Sequence, residues 1–161
     1  MLAVLALVLA LAGLDTAALA RRFRTATPVR LLGGALAVIG VGLGAVWIVM
    51  WAAYAFAGRP TPVDPEAFKV VAALDLSLMV PALTLGGVWL WKRRPWGYTI
   101  AAIASIQGAM YLHVLSVNSA VAIRRGLASP PGELPVWGTL MAITAAIALG
   151  LLWNVRRESP R

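Results

Sequence analysis

The chain has 161 residues, 61% of them hydrophobic and only 12% charged, with a formal net charge of +8. A soluble domain carries about twice that share of charge, so the composition, with its mean hydropathy of +0.84, leaves no room for one. The lack of cysteine excludes disulfides, thiolate metal sites and thiol redox chemistry.

The apolar residues fall into five runs, each long enough to cross a bilayer core of about 30 Å as a helix of roughly 20 residues. The first, Met1 to Ala20, ends in Ala18-Leu19-Ala20, which mimics a signal-peptidase site. No basic region precedes it and arginines follow it, the reverse of a secretory signal. It therefore reads as a first span with its N-terminus outside, carrying Asp15 close enough to Arg21 and Arg22 to snorkel toward them. An initiation codon further upstream is compatible with so abrupt a start.

The second run, Leu31 to Ala57, carries Gly33, Ala37, Gly40 and Gly44 on one side, a spacing that lets two helix backbones approach closely. The third opens at Asp64-Pro65-Glu66, a cap, a proline and a first-turn acid, and runs to Trp91. The fourth begins near Trp96 and ends between Asn118 and Ile123. The fifth opens at Glu133-Leu134-Pro135, ends near Trp153 and repeats small residues at Gly138, Ala142, Ala146 and Gly150.

Basic clusters occupy alternate boundaries: Arg21, Arg22, Arg24 and Arg30, then Lys92, Arg93 and Arg94, then Arg156, Arg157 and Arg161. Such residues accumulate on the cytoplasmic side of spans. The expectation is an all-α bundle of five spans, one domain over residues 1–161, with its N-terminus outside and its C-terminus in the cytoplasm. Trp89, Trp91, Trp96, Tyr98 and Trp153 then mark the inner interface, and Trp47, Trp51, Tyr54 and Trp137 the outer one. Because the positive charge is juxtamembrane, its expected partners are anionic lipid headgroups at the three clusters and not nucleic acid.

Ionisable groups inside a span are expensive unless they face protein or water. Asp75 and His113 each lie 19 positions from Arg94, on either side of a tight Lys92-Arg93-Arg94-Pro95 link. An antiparallel hairpin places them at similar depth, where a carboxylate and an imidazole can share a proton. Pro81 removes a backbone donor and leaves the Ser77 carbonyl without its helical partner. With Gln107, Tyr111 and Asn118 in the fourth span, these residues make a candidate outward-facing polar cavity. The alternative is that Asp75 and His113 only fix helix register. Haem or chlorin ligation by His113, with Met79 or Met110, is the least supported option, since one histidine supplies one axial ligand.

No nucleophile and base stand at a recognisable spacing, and H-E-x-x-H and phosphate-binding glycine loops are absent. The expectation is a protein that is not an enzyme and needs neither metal nor cofactor. It acts instead as an accessory or assembly protein that packs on a membrane partner or a second copy through small-residue faces. The second reading is a small-solute or proton-coupled binding protein built on the polar cavity.

The stretch Leu74-Asp75-Leu76-Ser77-Leu78-Met79-Val80-Pro81-Ala82-Leu83, then Gly86-Gly87-Val88 and Arg93-Arg94-Pro95-Trp96-Gly97-Tyr98, resembles a pattern in small uncharacterised multi-pass membrane proteins of bacteria. The likeness covers roughly Leu31 to Asn118 and implies a bacterial inner-membrane location, with no activity to carry over.

Overall fold

The computed structural model describes residues 12–59, 65–126 and 134–156, which form helices joined by short links and one isolated antiparallel bridge. Helix α1, Thr16–Arg22, starts where the Asp15 carboxylate accepts from the Ala18 amide at 2.8 Å, satisfying a first-turn donor that a helix leaves unpaired. Asp15 thus caps the helix whose last turn carries Arg21 and Arg22. The expected single helix from Met1 to Ala20 is interrupted at Gly13–Asp15, and the rest of that first span, residues 1–11, lies outside the described residues.

Helix α2 is Val29–Ala57. Helix α3, Pro65–Leu74, passes through a π-helical turn, Asp75–Met79, into α4, Val80–Trp91. Helix α5 is Pro95–Arg124 and α6 is Leu134–Trp153. Four of the resulting rods, Val29–Ala57, Phe68–Trp91, Pro95–Arg124 and Leu134–Trp153, are long and apolar enough to cross a membrane. At 1.5 Å per residue, even the 20 residues of α6 reach about 30 Å. No more than 28% of the most apolar stretch of any rod is buried. Valines 38, 41 and 49, Phe56 and Leu149 are all more than half exposed, and a surface this apolar is suited to lipid and not to water.

The π turn has a local cause. Pro81 cannot donate to the Ser77 carbonyl, and the helix widens by one residue just before it. The Val80 amide then donates to the Asp75 carbonyl, while Ser77 Oγ turns back to the Leu74 carbonyl at 3.4 Å. Asp75 is therefore the first residue of a locally expanded turn.

Helix α2 packs along α4, α4 along α5, and α5 along α6, with α1 lying against α5. The α4–α5 hairpin closes tightly. Arg93 adopts a left-handed conformation (φ 54°), and the Arg94 amide reaches the Trp89 carbonyl at 2.9 Å, the helix-ending arrangement that glycine usually serves. A side chain on Gly97 would run into the backbone of Trp89 and Leu90.

Below the hairpin the chain ties its basic segments together. The Arg24 amide donates to Asn154 O at 2.9 Å and the Arg156 amide to Arg22 O at 2.8 Å. Phe23 lies on Tyr98 with ring centroids 4.7 Å apart, and Arg93 Nη2 reaches Thr25 O at 3.3 Å. Arg21, Arg22, Arg24, Lys92, Arg93, Arg94 and Arg156 thereby collect at one end of the bundle. Near that end lie fully buried Leu36, Leu90, Ala101 and Leu151.

Candidate functional site

The two small-residue stripes have different fates. On α2, a Cβ built on Gly33 would lie 2.5 Å from Gly87 O, and one on Gly40 would lie 2.5 Å from Thr84 Oγ1. A Cβ on Gly44 would lie 3.1 Å from Val80 Cγ1. This stripe is used inside the chain, holding α2 on α4 at backbone contact. Thr84 Oγ1 is buried with no hydrogen-bond partner among the described residues. It lies where a Gly40 side chain would begin, facing a Cα hydrogen, and such C–H···O contacts recur between close helices.

On α6, a Cβ built on Gly150 would lie 3.5 Å from Leu32 of α2, whereas one on Gly138 would touch nothing within 4 Å. Ala142 and Ala146 are exposed. Helices α2 and α6 therefore touch near the basic end and leave a gap beyond it.

That gap is a cavity of about 520 Å³ reached by all four of the long apolar rods. Its wall is aliphatic over most of its area: Val38, Ile39, Leu43 and Val46 from α2, Leu112 and Leu115 from α5, and Leu140 and Ile143 from α6. Val38, Val46, Val136 and Ile143 line it and are also 40–72% exposed, so the cavity opens sideways between α2 and α6. Gly42 lines it too, and nothing lies within 4 Å of a Cβ built there.

Five polar or aromatic residues stand in this wall: Asp75, Trp47, Tyr111, Trp137 and Thr144, whose hydroxyl donates to the Leu140 and Met141 carbonyls of its own helix. Asp75 Oδ2 accepts from the indole Nε1 of Trp47 at 2.9 Å. A hydrogen bond of this kind contributes about 0.5–3 kcal/mol, and it joins α2 to the π turn. Trp47 is itself held against Phe68, 1% exposed, with centroids 5.5 Å apart, and Tyr54 packs on the same ring. The widened turn brings Asp75 and Met79 to the cavity, followed one turn later by Leu83.

Of the residues singled out from sequence, Asp75 and Tyr111 share the cavity. Ser77, Gln107, His113 and Asn118 are exposed on the outside of their helices and do not line it. Among the described residues no hydrogen bond or ion pair joins Asp75 to His113. Helix rotation turns His113 away from the cavity that Asp75 lines. The cavity is also apolar, not the polar chamber expected, because α5 turns Gly108, Leu112 and Leu115 inward along with Tyr111. Its pairing of Asp75 with Trp47 was not legible in sequence, where Trp47 stood out only as an interfacial aromatic. No group of three or more histidine, aspartate or glutamate side chains among the described residues is placed to hold a metal ion. No protein-family model, curated protein or solved structure matches this chain.

Proposed function

We propose that the protein is a non-catalytic integral membrane protein that binds an apolar small molecule from the bilayer in the cavity between α2 and α6. The single observation that carries this reading is the cavity itself, about 520 Å³, aliphatic, and open sideways through Val38, Val46, Val136 and Ile143. An opening of that kind faces hydrocarbon, so its natural occupants are molecules that partition into membranes.

The proposed setting is a bacterial inner membrane, with the basic end in the cytoplasm and the cavity toward the outer face. The collection of Arg21, Arg22, Arg24, Lys92, Arg93, Arg94 and Arg156 at one end supports this orientation, and anionic headgroups are the partners proposed for them. The proposed fifth span is the N-terminal apolar run Met1 to Ala20, about the length a bilayer core requires.

Binding of a neutral apolar fluorophore such as Nile red to the detergent-purified protein tests the reading. Gly42→Phe places a ring in the cavity where the backbone has room for it. Saturable binding to the native protein, lost in Gly42→Phe, is the expected result. Equal signal from both proteins overturns the reading.

A second reading, docking of a membrane partner or another copy on α6, is favoured by one observation. The Gly138, Ala142 and Ala146 face is uncovered, and close helix approach needs small residues. Crosslinking between copies or to a stoichiometric partner, lost in Ala142→Leu, distinguishes this from a small-molecule role.

A further inference from the structure

We infer that the ligand of this cavity is a lipophilic cation, an amphiphile with a quaternary or protonated ammonium or phosphonium centre. This rests on the reading of the cavity as a small-molecule site and names the chemistry it selects. The wall offers one carboxylate, Asp75, and three aromatic side chains, Trp47, Tyr111 and Trp137. Aromatic faces attract cations through their quadrupoles, and the attraction grows when water is excluded. A carboxylate supplies the formal countercharge. Together they recognise a diffuse organic cation and oppose an anion of the same shape.

The disposition of the carboxylate sharpens the inference. Oδ2 accepts from Trp47 Nε1, which anchors the group and orients it. No described residue donates to Oδ1, no basic side chain lines the cavity, and Asp75 forms no ion pair among the described residues. A carboxylate held on one oxygen against an apolar wall lacks a countercharge from the protein. A ligand cation meets that need while its apolar substituents cover the aliphatic wall. His113 is turned outward and does not compete.

The test compares two ions of matched shape and opposite charge, tetraphenylphosphonium and tetraphenylborate. Each is titrated into the purified full chain and into Asp75→Asn in the same detergent, so that micelle partitioning cancels. The asparagine carbonyl can still accept from Trp47, which preserves the anchor. The expected result is that the native protein binds the phosphonium at least about tenfold more tightly than Asp75→Asn does, while the borate gains or is unchanged. Tyr111→Leu, at a partly exposed position, is expected to weaken the phosphonium several-fold more than the borate, and it keeps the proposal testable if Asp75→Asn does not fold.

Tight phosphonium binding that survives Asp75→Asn overturns the inference, as does equal preference for the two ions. If both ions fail to bind while Nile red binds the native protein and not Gly42→Phe, the charge selectivity is wrong and the apolar site stands. If none of the three probes binds, both readings fall together.

Discussion

The indole of Trp47 donates to the carboxylate of Asp75 across 2.9 Å, linking the middle of one spanning helix to the π turn of the next. The two residues are 28 positions apart in sequence, so the bond reports correct docking of α2 on the α3–α4 rod. It also leaves the carboxylate anchored at the cavity wall.

Trp47→Phe keeps an aromatic ring for Phe68 and removes only the donor. The expected cost is about 0.5–3 kcal/mol, read as a lower midpoint of thermal unfolding in detergent. In an Asp75→Ala background, where the acceptor is already gone, the same change should cost much less. Equal costs in the two backgrounds would show that the bond contributes nothing to docking.

The two small-residue stripes should respond oppositely to the same chemical change. Gly33→Ala puts a methyl 2.5 Å from the Gly87 carbonyl oxygen and 2.8 Å from the Trp91 amide, and overpacking of this kind costs about 1–3 kcal/mol. Gly138→Ala meets nothing within 4 Å and gains up to about 1 kcal/mol of helix propensity. Thermal stability of the two variants, measured side by side, checks both signs.

Arg93 holds a left-handed backbone that costs an L-residue about 1–2 kcal/mol. Arg93→Gly relieves that strain and forfeits only the exposed 3.3 Å contact to Thr25 O. The expected outcome is a net gain in unfolding midpoint; a loss would mean that the arginine's charge or contact outweighs the strain.

Orientation is accessible because the chain has no cysteine of its own. Thr27 is a poor labelling position, being 2% exposed with its hydroxyl on Arg24 O, whereas its neighbour Thr25 is exposed. In intact cells, an impermeant thiol reagent should label cysteine at Ala57 or Arg125 and spare cysteine at Thr25. Labelling at Thr25 alone would invert the proposed topology.

What the sequence determined by itself is what depends on one helix at a time. Hydrophobic length specifies spanning rods, because an unpaired backbone polar group is not tolerated in hydrocarbon. The placement of Lys92, Arg93 and Arg94 between two apolar runs specifies a hairpin whose ends share a depth. Pro81 specifies a break in α-helical hydrogen bonding near Ser77, although the π turn that resolves it depends on how the helix accommodates the missing donor. Helix rotation is a different quantity. All-round apolar helices carry almost no amphipathic signal, so nothing local indicates that Tyr111 turns inward and His113 outward. Nor does it indicate that Gly40 is buried on Thr84 while Ala142 stays open. Tertiary packing decided these, because close backbone contact along Gly33, Gly40 and Gly87 fixes the rotation of α2 on α4. The divergence of α2 from α6 beyond Gly150 then opens the cavity to which Asp75 belongs.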